Sequence, residues 1–421
     1  MGKSIFLQVK ARQTRTSMKK FASVSLFLLF IILATFGLVA DQPIDPLLWR
    51  KALKLNQESI VVDTHCDTPM IAVENSLDLG VKTDKTEVDF VRMKEGGVAA
   101  SFFAVFVSNS QDDKKPAKKA LEMIDEIYRQ VEAHPDLVEL AFSSGDIQRI
   151  RALGKRAILI GMENGSPVEG SMRLLRDYQR LGVRYITLTH SDNNSLCDSS
   201  MAREPRWNGL SDFGKGVVRE MNRLGMIVDI SHLSDKTFYD VLAISKAPVM
   251  ASHSCVRALN DVPRNMSDDM IKALAAKGGV LQINFFSGFL DPGFRKNADE
   301  VEARLKPEFD KLKEKFKDNS TAYWDAVFVL WKANAPEAPD ITVLIDHIDH
   351  VVKLVGADYV GLGSDFDGAG SYPKGLEDVS KFPIITYHLL KRGYAESDIK
   401  KILGGNFMRV FEQVEKAADR R

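Results

Sequence analysis

Eight short apolar runs, rich in β-branched and aromatic residues, recur along this chain, and a stretch with helical spacing separates most neighbouring pairs. The runs are "SIVVDTH", "VAASFFAVFV", "RAILIGMEN", "RYITLTH", "MIVDISH", "PVMASHS", "GVLQINFF" and "YVGLGSDF". Helical periodicity marks residues 116–133, 171–181, 212–224, 235–245, 267–277, 342–355 and 379–392, and Gly278-Gly279 stops one such pattern as a C-cap would. Strands that alternate with helices predict parallel βα units, and eight is the number that closes a (β/α)₈ barrel of the TIM type. A doubly wound open sheet is the alternative, but no Gly-rich phosphate loop follows the first strand. Residues 291–339 break the rhythm with a Lys/Glu-dense stretch, an aromatic one and a Pro-rich one, which predicts a helical insertion between strands seven and eight. No composition suggests an interdomain linker, so residues 41–421 are expected to form one domain.

The first forty residues differ from the rest. Residues 1–20 carry many Lys and Arg and no Asp or Glu, and "SLFLLFIILATFGLVA" (25–40) is almost wholly apolar. That is the layout of a secretory signal peptide processed near Ala40, with an uncleaved N-terminal anchor and membrane tether as the alternative. The protein is therefore expected to be exported: periplasmic, extracellular or membrane-anchored. Lys+Arg and Asp+Glu both number 57, so no basic surplus points to nucleic acid. Three cysteines in such a chain do not make a disulfide scaffold, and no structural bridge is expected.

Functional side chains of a barrel of this kind project from the C-terminal strand ends. The first run ends in His65 and Asp67, the third in Glu163, the fourth in His190, the fifth in His232, the sixth in His253 and the eighth in Asp365 and Asp367. Any one of these could be an ordinary turn residue. Together they place four of the eight histidines on one rim. His134, His347, His350 and His388 fall in or beside helical patterns and are read as surface or core histidines. Asp63 and Asp229, inside apolar runs, are read as buried supporting acids. Nitrogen and oxygen donors without ordered cysteine pairs suit Zn²⁺ or a similar divalent ion in an open catalytic site. His65 with Asp67 makes one half-site and His232 with His253 another, and Glu163 has two oxygens with which to bridge them. Two ions would share a bridging hydroxide, which is hydrolytic equipment.

Taken in order, "DTHCDTP", "GMENG", "LTHSDNN", "DISH", "ASHS", "VPRNMSDD" and "GLGSDFDG" resemble the membrane (renal-type) dipeptidase family, peptidase family M19 of the amidohydrolase-like barrels, over roughly residues 45–415. The resemblance implies two Zn²⁺ per chain, one held by His65, Asp67 and Glu163 and the other by Glu163, His232 and His253. It implies that His190 contacts the substrate and steadies the oxyanion, that Arg264 pairs with the substrate carboxylate, and that Asp365 carries the proton. A guanidinium fork suits a free carboxylate, and amide cleavage needs an acid to protonate the departing nitrogen. The activity implied is metal-dependent hydrolysis of small dipeptides, with another small amide or lactone as the alternative substrate, and a homodimer is implied as well. A catalytically silent binding protein is opposed by the presence of all five ligands and Asp365. The charged ending "EKAADRR" is unlike the C-terminal lipid signal of mammalian members, and "YITLTH" offers no lysine of the kind that bridges metals in many related amidohydrolases.

Overall fold

A computed structural model describes residues 44–108, 115–317 and 320–419. The signal peptide or N-terminal anchor expected at residues 1–40 lies outside them. By internal contact the chain divides at Pro46, and the barrel belongs to the unit Leu47–Arg421. Its strands are β1 (Val61–Cys66), β2 (Val98–Phe106), β3 (Val138–Leu140), β4 (Arg156–Glu163), β5 (Val183–Thr187), β6 (Ile227–Asp229), β7 (Met250–Ser254), β8 (Val280–Ile283) and β9 (Val360–Leu362). All pairings are parallel and the order is β1-β2-β4-β5-β6-β7-β8-β9, with β3 attached to β4 off this path. The two ends of the series meet. Cys66 bridges Phe366, the Asp67 amide donates to the Phe366 carbonyl at 2.8 Å, and the Asp365 amide donates to the His65 carbonyl at 3.0 Å. The sheet is thus a TIM-type barrel rather than an open one, and each of the eight apolar runs supplies one of its strands.

Those runs are continuous rather than alternating because a barrel strand is covered on both faces. One face of the strands carries Val62, Ala100, Phe102, Leu159, Tyr185, Ile227, Met250 and Val280, which join Phe407 and Phe411 of the helix Asn406–Ala417 in one buried cluster. The other face carries Phe103, Val105, Ile158, Ile160, Ile186 and Leu281, packed into the larger cluster under the surrounding helices. In the helix Pro116–Ala133, residues Ala120, Met123, Ile124, Ile127 and Val131 supply the stripe that faces it. Full burial of a large apolar side chain stabilises by about 1.5–3 kcal/mol. Ser143, Ser171, Ser211, Ser234 and Ser267 each cap a helix by accepting an amide hydrogen from the third residue on. Each such cap contributes about 1 kcal/mol and fixes where the chain turns from rim to helix.

Several boundaries differ from expectation for local reasons. β3 is only three residues long, too short to carry a periodic signal. The pattern at 379–392 splits into a 3₁₀ turn, Val379–Lys381, and a helix, Pro383–Lys391, because Pro383 starts a new first turn. Between β8 and β9 lie the helices Pro292–Lys315 and Ser320–Lys332, and Arg304 on the first donates to Asn334 just after the second. The Trp331 indole rests against Gly370, on the loop that follows β9. No helix among the described residues is long and apolar enough to cross a membrane. Cys66, Cys197 and Cys255 are buried and unpaired.

Candidate metal centre

The rim residues converge at the C-terminal ends of the strands. Glu163 closes β4, and its two oxygens face different neighbours. Oε1 lies 2.9 Å from His232 Nε2, 3.3 Å from His253 Nε2 and 3.8 Å from His190 Nε2. Oε2 lies 3.5 Å from His65 Nε2, which is itself 3.4 Å from Asp67 Oδ2 and 4.0 Å from Asp365 Oδ1. Three groups of donor atoms result: His65, Glu163 and His253; Glu163, His190 and His232; and His65, Asp67 and Asp365. Each of the seven rim residues expected to carry chemistry is therefore in one cluster. Asp367 is turned away from it, accepting from Thr68 Oγ1 at 2.5 Å and from the Glu87 amide at 2.7 Å.

Local backbone geometry aims two of these side chains. β6 ends at Asp229, and His232 sits past it in the left-handed region at φ 68°. Asp365, beyond β9, has φ 60°. Such conformations cost a non-glycine residue about 1–3 kcal/mol and persist where surrounding contacts hold them. Gly368 clears space beside the carboxylates. A Cβ there would stand 2.1 Å from Asp67 Oδ2 and 2.6 Å from Asp365 Oδ1.

The supporting contacts are polar and buried. Asp229 accepts from the Ser252 amide at 2.8 Å, from Ser252 Oγ at 2.6 Å and from Thr187 Oγ1 at 2.5 Å, while Ser252 Oγ meets His253 Nδ1 at 2.7 Å. Asp63 accepts from the Ser364 amide and hydroxyl at 2.8 and 2.6 Å, and its carboxyl is pushed up to about 6, burial being the main cause. Tyr185 Oη lies 2.7 Å from His65 Nδ1, and Asn284 Nδ2 donates to Asp365 Oδ2 at 2.8 Å. Reading the strand ends alone misses Tyr185 and Asn284. Tyr185 looks like any core aromatic, whereas Asn284, a polar residue closing the apolar run "GVLQIN", was a usable signal at the one late strand that offered no candidate. The other histidines are engaged elsewhere. His347 is buried, with Nδ1 accepting from the Val256 amide and Nε2 donating to the Leu290 carbonyl, while His134 pairs with Asp78 and His350 with Asp268.

The buried carboxylates and imidazoles shift one another's protonation. Burial alone would raise Glu163, but the facing imidazoles outweigh it and hold the carboxyl well below the usual range. Burial, then the charge of Glu163, pushes Asp67 up, and burial pushes Asp365 up too. Burial pulls His190, His232 and His253 down, the last two far down. His232 Nε2 and His253 Nε2 face one another at 3.0 Å, so both can point lone pairs at one spot if nothing protonates them. His65 Nε2 and Asp67 Oδ1 are buried without a hydrogen-bond partner. Orphaned polar atoms of this kind are costly unless a ligand satisfies them, and a nitrogen–oxygen donor set suits a divalent metal. The residues fit the group.

Arg264 lies beside this centre, 5% exposed, with Nη1 donating to Ser254 Oγ at 3.2 Å and Nη2 to the His253 carbonyl at 3.1 Å. Its Nε has no hydrogen-bond partner, and no carboxylate among the described residues lies within ion-pair distance. A buried guanidinium with spare donors suits an incoming carboxylate. Phe106, at the end of β2, presents an edge to His190 at 4.7 Å between ring centres.

Comparisons with known proteins find relatives across most of the chain. A family model described as membrane dipeptidase (peptidase family M19) matches residues 49–421. The chain is 32% identical over 385 residues to Dipeptidase 3 of Mus musculus, an alignment covering 89% of this chain and 69% of that protein. It is 34% identical over 385 residues to Dipeptidase verJ of Clonostachys rogersoniana, covering 87% of each. The probable dipeptidase PvdM from Pseudomonas aeruginosa is structurally similar at TM-score 0.74 and 28% identity, over 88% of this chain and 99% of that one. A metallopeptidase from Rhodobacter sphaeroides, solved with a phosphinate mimic of the dipeptide L-Ala-D-Ala, shares the fold at TM-score 0.69 and 23% identity, over 85% of this chain and 99% of that one.

Proposed function

The chain belongs to the membrane dipeptidase family, peptidase family M19, whose members are metal-dependent hydrolases of dipeptides, and on that premise we propose that it cleaves small dipeptides at a two-zinc centre bridged by Glu163. The observation that carries this reading is the division of Glu163 between two donor groups, Oε1 toward His232 and His253 and Oε2 toward His65. His65, Asp67 and Glu163 would hold one ion, and Glu163, His232 and His253 the other. When bound, the pair supplies Lewis-acid charge that acidifies a water molecule and polarises the scissile carbonyl.

The chain's own residues do the rest. Arg264 grips the substrate's C-terminal carboxylate and sets the register of the peptide bond. His190, kept neutral by burial, presents an Nε2 hydrogen to the oxyanion. Asp365, its pKa raised by burial and its Oδ2 steadied by Asn284, takes the proton of the attacking water on Oδ1 and hands it to the departing amine. Residues 41–421 act as one hydrolytic domain in this reading, exported by the leader of residues 1–40 or tethered through it, and paired as a homodimer.

A dipeptide compared with its C-terminal amide tests the substrate class. Loss of the charged partner of Arg264 is expected to lower kcat/KM about tenfold or more. Equal rates on the amide, or faster turnover of lactones, would favour another small amide or lactone as the substrate.

A further inference from the structure

A histidine that offers one ring nitrogen to a metal usually has its other nitrogen held, which fixes its tautomer and its aim. The two half-sites solve this differently. His253 Nδ1 meets Ser252 Oγ at 2.7 Å, and that hydroxyl is already committed to Asp229 at 2.6 Å, so a carboxylate stands behind the imidazole through one hydroxyl. His65 Nδ1 has Tyr185 Oη at 2.7 Å. Tyr185 is fully buried, and its ring lies 4.9 Å from that of Phe102 on β2. The ring reaches His65 only because β4 carries glycine beneath it. A Cβ on Gly161 would lie 2.2 Å from Tyr185 Cζ and 2.5 Å from Oη. Gly161 stands two residues before Glu163, so the strand that presents the bridging carboxylate also makes room for the phenol.

We propose that Tyr185 is a positioning residue for the metal centre: its hydroxyl accepts the Nδ1 hydrogen of His65, so that the Nε2 lone pair faces Asp67 and Glu163, and Gly161 is the space that lets it do so. The inference rests on the two-ion reading and assigns Tyr185 to His65 in one half-site and Ser252 with Asp229 to His253 in the other, while His232 Nδ1 has no hydrogen-bond partner. Tyr185 touches neither substrate nor reacting atoms in this account. Its effect passes through His65.

The test is Tyr185→Phe, which keeps the ring over Gly161 and against Phe102 while deleting the hydroxyl. Wild type and variant are loaded with Co²⁺, and both ions are withdrawn by competition with a chelator while the visible spectrum is followed. Loss of an outer partner of a ligating histidine typically costs about 10–100-fold in metal affinity. Tyr185→Phe is expected to weaken one ion by that factor, shift its absorption bands and leave the second ion unchanged, and Ser252→Ala should weaken the other. Gly161→Ala, which displaces the hydroxyl without removing it, should reproduce the Tyr185→Phe pattern. Unchanged affinity for both ions in Tyr185→Phe, or equal weakening of the two, would overturn the assignment. A wild-type protein that holds a single ion would overturn the two-ion reading instead, and Tyr185→Phe would then be decided on that ion by the same loss or its absence.

Discussion

Replacing Gly368 with alanine adds one methyl group, removes no polar atom and is expected to damage the centre as badly as losing a ligand. The added Cβ would stand 2.1 Å from Asp67 Oδ2, where ordinary contact begins at 3.4 Å, so the carboxylate or the loop must yield by the difference, 3.4 − 2.1 = 1.3 Å. For Asp365 Oδ1, at 2.6 Å, the difference is 0.8 Å. The loop has little freedom, because the Gly368 amide donates to the Asp365 carbonyl and the neighbouring Asp367 is fastened to Thr68 and Glu87. The displacement therefore falls on the two carboxylates. Misplacing a catalytic group by about 1 Å can cost about 100-fold in rate. Gly368→Ala should accordingly lower kcat/KM for dipeptide hydrolysis by about two orders of magnitude and loosen the ion that Asp67 would hold, with little change in melting temperature because the position is exposed. Gly145→Ala is the control, since its Cβ would meet only Ser143 Oγ, at 3.7 Å. Dipeptide hydrolysis within about threefold of wild type, with metal content unchanged, would show that the two carboxylates keep their places beside the added methyl.

Three further substitutions separate the parts of the account. Glu163→Gln should weaken both ions together in a metal-binding titration, since one residue is proposed to serve both; retention of either ion at wild-type affinity would remove the bridge. Asp365→Asn should abolish measurable turnover in a dipeptide assay while metal content stays near that of wild type, because the role proposed for it is to move a proton. Glu87→Gln addresses pH. Burial, then the hydrogen bond and charge of Asp367, raise the Glu87 carboxyl from 4.5 to about 10. For a group raised on folding, the stability it contributes is complete below its unfolded value and declines as pH climbs through the folded one. Between pH 5 and 9, denaturant unfolding should show wild type losing ground to Glu87→Gln by at most about 1.4 kcal/mol per pH unit, and parallel curves would contradict this.

The barrel was legible because its strands are covered on both faces, which leaves uninterrupted runs such as "RAILIGM" in the chain. The cluster was legible because such strands end on one rim, so His65, Asp67, Glu163, His190, His232, His253 and Asp365, whose donor atoms lie together, could be found by asking where each run stopped. Other features depend on distances between strands, which no run encodes. "MIVDISH" reads as seven residues of strand, yet β6 holds only Ile227–Asp229 and the left-handed turn at His232 aims the imidazole. Tyr185 is indistinguishable from a core aromatic until His65 is brought across the barrel to meet it. Gly161 and Gly368 look like any glycine until their neighbours are known. Arg264, ten residues past the end of β7, was reached only through the family resemblance in "VPRNMSDD", because loop position follows no periodicity. The insertion read as helical from its composition, but its contact with the loop after β9 through Trp331 and Gly370 was not readable there.

The central claim is that the rim cluster around Glu163 is a two-ion hydrolytic centre. Metal content and dipeptide hydrolysis, measured on one purified sample before chelation, after it, and again after zinc is restored, test that claim most directly. Close to two zinc equivalents per chain are expected, with activity that disappears with them and recovers when both return. Hydrolysis that persists after every ion has been removed, or a protein that binds no divalent metal at all, would contradict it.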